Sequence, residues 1–158
     1  MPASDIALYD GYFNVSPECW SVFTEVIAKD YSDAEVFGQV HQLTVDAYAV
    51  QHAGGPHPDK SVDVHLSGLY LVLVRGFRPP DVAPQLKRLI AEVEAWPHFP
   101  PPAERGSMTV WDVALADSRE EHFEKVREWS GQAWEAWSAH HDGVEAFVAR
   151  HLWPRERS

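Results

Sequence analysis

Apolar residues repeat every three or four positions in several segments of the chain, which is the spacing of one helical face. The longest of these segments, residues 32–53, carries two apolar stripes on separate faces. The first stripe holds Val36, Val40, Leu43, Ala47 and Val50, and the second holds Phe37, His41, Val45, Tyr48 and His52. A helix that is apolar on two faces is usually surrounded by other elements. The pattern therefore predicts that residues 32–53 form the central, buried helix of the fold.

Sequence signals also mark where the neighbouring helices begin. Ser16 before Pro17 is typical of a helix N-terminus. Three pairs have the three-residue spacing of a helix start or capping box: Ser32 with Glu35, Thr109 with Asp112, and Ser118 with Glu121. Together with the apolar spacing, these signals predict helices at 17 to about 29, at 81–95, at about 110–116, and from 118 onwards. The C-terminal part is compatible with one helix or with two that break near 141–143.

The segment 62–75 fits two kinds of secondary structure. Val62, Val64 and Leu66 alternate with polar residues, which is typical of a strand. The uninterrupted length of about 14 residues favours a buried helix instead. We predict a helix here, with Ser61 as its N-cap.

Glycine and proline residues divide the chain without separating it into domains. We expect residues 1–15 to form an irregular arm and residues 97–108 to form a proline-rich internal loop. A chain of 158 residues with 45% hydrophobic residues is the size and composition of one globular domain. The predicted fold is all-α: a single domain spanning 1–158, with five or six helices in a bundle-like arrangement around the central helix.

The net charge of −11 limits the partners that we expect. An acidic chain does not neutralise phosphates, so the charge favours neither nucleic acid nor a membrane surface as a partner. No apolar run reaches the ~18 residues of a membrane span. The single cysteine, Cys19, excludes an internal disulfide. We expect a cytoplasmic protein that binds a small molecule, with a homodimer left open.

Four blocks of sequence resemble a bacterial family of unknown function. They are HQLTVDAYAVQH (41–52), SVDVHLSGLYLVLVRG (61–76), WPHFPPPAERGSMTVWDV (96–113) and VREWSGQAWEAWSAHH (126–141). Members of that family often carry a CxxC pair upstream of the block that matches SPECW, and this chain has no such pair. The resemblance therefore implies a shared fold, and it implies no particular activity.

Three histidines are expected at one end of the hairpin that the two central helices form. His52 ends the first helix, His57 lies in the connection, and His65 lies about one turn into the second helix. Three imidazoles with an oxygen from Asp59, Asp63 or water suit zinc or another borderline divalent metal. We therefore predict a metal site at these histidines, with zinc as the cofactor. The alternative is structural: a helix cap, a loop residue and a hydrogen-bonded core histidine.

His41 lies on an apolar face of the central helix, about 16 Å along the axis from His52, and cannot join that cluster. It is a candidate general base, and the alternative is a histidine hydrogen-bonded in the core. Asp46, the one charge in the interior of this helix, is expected in solvent or paired with Arg75 or Arg78.

A second candidate catalytic histidine is His141, which shares a helical face with Trp134 and Trp137. Such a face is typical of a core, and it is also compatible with the wall of an aromatic pocket. The predicted function is metal binding, with metal-dependent catalysis on a small molecule assisted by His41 or His141. The alternatives are a metal-free protein with a tryptophan-rich ligand pocket, and a non-catalytic accessory protein.

Overall fold

The structure of the protein, a computed structural model, describes residues 16–153. Across this range the chain forms seven α-helices, one 3₁₀ turn and no strand, which confirms the all-α prediction. The helices are α1 (Pro17–Tyr31), α2 (Ala34–Gln51), α3 (Asp59–Leu73), α4 (Pro79–Glu92), α5 (Val110–Ala114), α6 (Arg119–Ala136) and α7 (His141–Leu152). The expected irregular arm at 1–15 lies outside the described residues.

Three of the predicted helix starts are confirmed by their capping bonds. The Ser16 side chain accepts the N–H of Cys19, in the first turn of α1. Thr109 and Asp112 form a capping box on α5, with both reciprocal bonds present. Ser118 Oγ accepts the N–H of Glu121 at 3.0 Å at the start of α6. These bonds satisfy N–H groups that a helix N-terminus leaves without an internal partner.

The start of α2 differs from the prediction by one residue. Asp33, not Ser32, is the N-cap, because Asp33 Oδ1 accepts the N–H of Glu35 at 2.8 Å. The Ser32 hydroxyl instead donates to Lys29 O at 2.6 Å and closes the end of α1. The two adjacent polar residues thus serve two different helix ends.

Helix α2 is the central element of the described fold, as the two apolar stripes predict. It packs against α1, α3, α4 and α6. Half of its 18 residues are buried, including Val40, Ala47 and Val50, which have no exposed surface. Because apolar residues cover two faces of α2, a helix is needed on each side to exclude water from them.

The ambiguous segment is helix α3, and the strand alternative is wrong. The helix begins at Asp59 rather than after Ser61, whose hydroxyl lies 2.7 Å from His57 Nε2. Its buried residues point in several directions because α2, α4, α6 and α7 surround it. This arrangement explains the continuous apolar run, which shows no single helical stripe.

Helices α2 and α3 approach each other closely at Gly68. A Cβ atom added to Gly68 would overlap the carboxyl group of Asp46 on α2. Asp46 has no exposed surface. A glycine is therefore required at this position so that a buried carboxyl group fits between the two helices.

Two further boundaries differ from the sequence prediction. Helix α4 begins at Pro79, two residues before the predicted start, because proline is compatible with the first turn of a helix. The C-terminal region contains two helices, and the break precedes 141–143. Helix α6 ends at Ala136, a 3₁₀ turn spans Ser138–His140, and α7 follows directly.

The proline-rich segment after α4 is tied to the C-terminal end of α2. Arg105 Nη1 donates to Gln51 O and Ala53 O, both at 3.0 Å. The Gln51 side chain donates to Arg105 O at 3.0 Å and to Met108 O at 2.7 Å. Its oxygen accepts from Trp129 Nε1 at 2.7 Å. This latch satisfies carbonyl groups that a helix C-terminus leaves free.

Most of the tryptophan-rich segment belongs to the core. Trp129 and Trp137 are essentially fully buried, and Trp134 is 4% exposed. Aromatic side chains of this size supply much of the apolar area that a small domain can bury.

None of the helices within 16–153 is long and apolar enough to cross a membrane.

Candidate functional site

His52, the last residue of the central helix region, lies against Cys19 of α1. His52 Nδ1 lies 2.8 Å from Tyr48 O, which is a backbone acceptor, so Nδ1 carries a proton. His52 Nε2 is then the acceptor for the Cys19 thiol, 3.3 Å away. The Tyr48 hydroxyl donates to the same sulfur at 3.6 Å. Burial raises the pKa of Cys19 and lowers the pKa of His52, which favours the neutral forms of both groups.

The other two histidines of the predicted metal cluster are held by separate partners. His57 Nε2 lies 2.7 Å from Ser61 Oγ, and burial lowers the pKa of His57 to about 4. His65 Nδ1 lies 2.8 Å from Asp46 Oδ1. Within residues 16–153 no three His, Cys, Asp or Glu side chains are grouped as metal ligands. The structure thus pairs His52 with Cys19 and leaves the predicted three-histidine metal site as a prediction.

Asp46 contradicts the expectation of a solvated or arginine-paired carboxylate. It is completely buried, and its oxygens accept from Gln42 Nε2, both at 3.0 Å. Burial raises the pKa of Asp46, and the hydrogen bond with His65 opposes that rise. The carboxyl group therefore acts as an internal tie between α2 and α3.

His141, the second predicted catalytic residue, lies against the C-terminal end of α6. Its Nε2 lies 2.8 Å from Trp134 O, and its ring stacks on the Trp134 ring with centroids 4.0 Å apart. The two rings are in contact, but the residues do not share one helical face as predicted, because α6 ends at Ala136 and α7 begins at His141. The bond to a backbone carbonyl orients the ring, and a catalytic role for His141 stays a prediction.

Two other histidines meet at Asp30, near the end of α1. Asp30 has no exposed surface. Its Oδ1 accepts from His122 Nε2 at 2.8 Å, and its Oδ2 accepts from His41 Nδ1 at 3.2 Å. Burial by itself would raise the pKa of Asp30, but the hydrogen bonds from both histidines outweigh it, so the pKa lies below its ordinary value. Asp30 is thus a buried, ionised carboxylate that three helices share.

His41 occupies the outer side of this cluster. Its ring stacks on Phe37 with centroids 4.5 Å apart and tilts against Tyr31 at 5.0 Å. The side chain is 19% exposed. Because Nδ1 donates to Asp30, Nε2 is the nitrogen available to accept a proton. The orienting carboxylate comes from the preceding helix.

His122 occupies the inner side of the cluster and is 4% exposed. Its Nε2 is fixed by Asp30, and its Nδ1 is buried without a hydrogen-bond partner among residues 16–153. The two nitrogens of an imidazole point in diverging directions, so Nδ1 does not face Asp30. A buried nitrogen without a partner is unusual in a folded protein, which makes His122 Nδ1 a candidate contact for a polar group.

His122 also lines a cleft of about 270 Å³. The cleft lies between the α1–α2 turn and the turn that precedes α6. Charged side chains of both signs line it: Lys29, Asp33, Asp117 and Arg119. Lys29 Nζ donates to Ala114 O at 2.9 Å and so joins α1 to the opposite wall. The cleft therefore combines charged groups of both signs in a small volume.

A further buried carboxyl group lies on α3. Asp63 is 1% exposed, and neither of its oxygens has a hydrogen-bond partner in the described part of the chain. Burial and the nearby Asp59 raise the pKa of Asp63 to about 8. The group is therefore mainly protonated at neutral pH, unlike Asp30.

Sequence reasoning did not identify Asp30 or His122 as candidates, although the signal was available. Asp30 continues the buried stripe of Phe23 and Val26 at helical spacing, and His122 continues the buried stripe of Val126 and Trp129. A polar residue within an apolar stripe needs a partner. The partner itself could not be inferred, because Asp30 and His122 are 92 residues apart in the chain.

Comparison of the chain with known proteins identifies its family, and that family has no described activity. No match to the chain was found in searches of curated proteins and of solved structures. A family profile described as a family of unknown function, DUF5946, matches residues 4–138. This range covers most of the chain and includes the Asp30–His41–His122 cluster, the cleft and the Cys19–His52 pair. The protein therefore belongs to the DUF5946 family of unknown function.

Proposed function

We propose that the protein is an enzyme that moves a proton on a small polar molecule bound in the cleft beside His122. The observation that carries this proposal is the buried Asp30 carboxylate, which fixes His122 Nε2 at 2.8 Å while Nδ1 has no partner within residues 16–153. A carboxylate that orients an imidazole is the arrangement that general bases use in many enzymes.

Each residue of the cluster has a distinct role in this proposal. The proposal requires that binding exposes His122 Nδ1, which is buried in the free protein. Nδ1 then accepts the proton, because Nε2 already carries one toward Asp30. Asp30 stays ionised and stabilises the imidazolium that forms, which its lowered pKa supports. His41 is a positioning residue, since its bond to Oδ2 fixes the second oxygen of the carboxylate. Lys29, Arg119 and Asp117 supply charges that orient a polar substrate in the cleft.

A chromogenic proton-abstraction probe tests this proposal without knowledge of the substrate. In 5-nitrobenzisoxazole a base removes the C3 proton, the N–O bond breaks, and a coloured cyanophenolate forms. We expect the wild-type protein to accelerate this reaction above buffer. His122→Gln and Asp30→Asn are each expected to reduce the enzymatic rate by about 10-fold or more, in the range of a lost general base.

A second Asp–His pair on the surface provides a matched control. His98 Nδ1 lies 2.7 Å from Asp59 Oδ1, but both side chains are largely exposed and neither lines the cleft. His98→Gln is expected to leave the rate unchanged. A wild-type rate equal to that of His122→Gln, with both proteins folded by circular dichroism, would refute a base in the cleft.

Metal binding at the end of the α2–α3 hairpin is a second candidate function, favoured by the Cys19–His52 contact. The Sγ–Nε2 distance is 3.3 Å. Two ligands of one tetrahedral zinc ion, at about 2.3 and 2.0 Å from it, lie roughly 3.5 Å apart. The pair is therefore spaced as half of a zinc site. For the predicted ligands His57 and His65 to join it, their bonds to Ser61 and Asp46 would have to break.

Elemental analysis of protein purified without a tag tests the metal candidate. The expected result is about one equivalent of zinc, lost in Cys19→Ser and in His52→Gln. Cobalt substitution of the wild-type protein is expected to give a thiolate charge-transfer band. Less than about one-tenth equivalent of metal, together with no thermal shift on adding zinc, would exclude this candidate.

We also propose a cytoplasmic location. Cys19 is a free thiol in a hydrogen-bonded pair, which suits a reducing compartment. Fractionation of cells that produce the protein, followed by immunoblotting, tests this location, and recovery outside the cytoplasmic fraction would refute it.

A further inference from the structure

Packing among the described residues does not explain the glycines at two helical positions. Gly38 lies inside α2 and Gly131 inside α6, where glycine is less favourable than alanine. A Cβ atom added at either position meets no atom of residues 16–153 within 4 Å. At Gly68, by contrast, a Cβ would overlap Asp46. The first two glycines therefore leave open space that the fold itself does not need.

Both glycines line depressions on the same side of the molecule. Gly38 lines a groove of about 610 Å³, and Gly131 lines a second depression of about 460 Å³. The two depressions share Leu73 and Arg127 and are therefore adjacent. The open space beside each glycine thus belongs to one elongated surface feature, which we term the Leu73 groove.

The Leu73 groove is apolar over most of its length. Its larger part is lined by Leu43 and Val72 together with Pro79 and Pro80. Leu73 is 37% exposed and the following residue, Val74, is 54% exposed. Exposed aliphatic side chains in one depression favour burial against another apolar group. A volume of this size is typical of small-molecule sites.

Arg127 lies where the two depressions meet. The larger part also contains Arg78, which is paired with Asp81, and the smaller part contains Glu128 and Glu135.

The Arg127 guanidinium donates to the neutral Gln39 Oε1 at 3.1 Å, and no carboxylate within residues 16–153 forms an ion pair with it. Glu35, the acidic residue of the larger part, is paired with Arg119 instead. Arg127 therefore retains a positive charge beside an apolar surface in a strongly acidic protein.

We infer that the Leu73 groove binds an amphipathic carboxylate, with the carboxylate at Arg127 and an aliphatic or aromatic tail along Leu43, Val72 and Leu73. The guanidinium fork matches the two oxygens of a carboxylate. The space beside Gly38 accommodates the tail, so a large side chain at this position would block it. This site is separate from the cleft at His122 and does not depend on proton transfer there.

Binding of decanoate, measured by titration calorimetry below its micelle concentration, tests this inference. We expect decanoate to bind the full chain at least 10-fold more tightly than decanol, which has the same tail without the charge. Arg127→Gln, an exposed position, is expected to remove that preference. Gly38→Trp is expected to fill the groove and abolish decanoate binding, whereas Gly38→Ala is expected to retain most of it.

Three results would overturn the assignment. The first is no decanoate binding to the wild-type protein, and the second is equal affinity for decanoate and decanol. The third is a wild-type dimer in light scattering that Gly38→Trp dissociates, because the groove would then be covered by a second copy of the chain. Circular dichroism shows whether each variant is folded. If Gly38→Trp does not fold, the comparison of decanoate with decanol in Arg127→Gln still tests the inference.

Discussion

Three buried aspartates in this protein differ in the number of hydrogen-bond donors that surround each carboxyl group. Asp30 has two imidazoles, and its pKa lies below the ordinary value. Asp46 has one imidazole and one amide, and burial still raises its pKa. Asp63 has no partner within residues 16–153, and its pKa rises to about 8. The charge of a buried carboxyl group thus follows from the donors around it, and residue type alone does not predict it.

Asp63 gives a prediction in which the sign of the pH dependence is fixed. Its pKa is about 8 in the fold and about 3.9 in an unfolded chain, so the unfolded state loses its proton first. The Asp63 contribution to stability is present below pH 4 and is lost as pH rises to 8. At pH 8 the unfolding free energy of Asp63→Asn, measured by urea unfolding, is therefore expected to exceed that of wild type by roughly 2–5 kcal/mol. At pH 4 the two values are expected to be nearly equal.

The exposed Asp142 serves as the control for this comparison. Asp142→Asn is expected to track the wild-type protein at both pH values. An advantage of Asp63→Asn that is the same at pH 4 and pH 8 would mean that the carboxyl group is not the titrating group.

At the scale of helices, alanine substitutions at Gly68 and Gly131 are expected to have opposite effects on stability, because only Gly68 is closely packed. Gly68→Ala is expected to destabilise the protein by about 1–3 kcal/mol or more, because the methyl group would overlap Asp46 between α2 and α3. Gly131→Ala in α6 is expected to stabilise it by up to about 1 kcal/mol, since alanine favours the helix and nothing obstructs the methyl group. Urea unfolding of the two variants measures both signs.

If Gly68→Ala proved neutral, the carboxyl group of Asp46 would have to move aside without cost. The double variant Gly68→Ala with Asp46→Ala separates the two possibilities, because it removes the overlapping group. A stability of the double variant no lower than that of Asp46→Ala alone is the result expected from the close contact.

Element types were largely predictable from the sequence, and the exact ends were not. The two apolar faces of 32–53 correctly indicated the central helix, and the length of 62–75 correctly favoured a helix over a strand. Helix α4 begins at Pro79, which we expected to lie before the helix. The N-cap of α2 is Asp33 and not the predicted Ser32. Serine and aspartate stabilise a helix N-terminus by similar free energies, so local sequence rules do not distinguish two such residues at adjacent positions.

The candidate site was much less predictable than the fold, because its residues meet across helices. The sequence singled out His41 as a possible base, but its partner Asp30 lies in another helix. Asp30 also binds His122, which follows Asp30 by 92 residues in the chain. The histidines at the hairpin end do have polar partners, but different ones: Cys19, Ser61 and Asp46. Spacing along one helix predicts neither pairing, since both depend on how the helices pack.

At the scale of the whole molecule, two buried groups oppose each other in the pH dependence of stability. The pKa of His57 is about 4 in the fold and about 6.5 unfolded, so its contribution is lost as pH falls from 6.5 to 4. Asp63 acts in the opposite direction between pH 4 and 8. These two contributions are therefore expected to offset each other from pH 4 to 6.5, and the Asp63 contribution alone is expected to lower the unfolding free energy from pH 6.5 to 8.

His57→Gln is expected to remove the opposing contribution, so that the unfolding free energy falls more steeply with pH than that of wild type between pH 4 and 6.5. Urea unfolding at intervals of half a pH unit measures this slope. A His57→Gln profile parallel to that of wild type would show that His57 does not carry the opposing term.

The latch between Arg105 and the end of α2 connects parts of the chain that are 54 residues apart. A break in the peptide chain between α4 and Arg105 would therefore not separate the molecule into two independent units. One fragment would keep the carbonyl groups of Gln51 and Ala53, and the other would keep the guanidinium that binds them. The protein is consequently suited to division at this loop into two complementary fragments, whose reassembly would report that two fused partners have met in a cell.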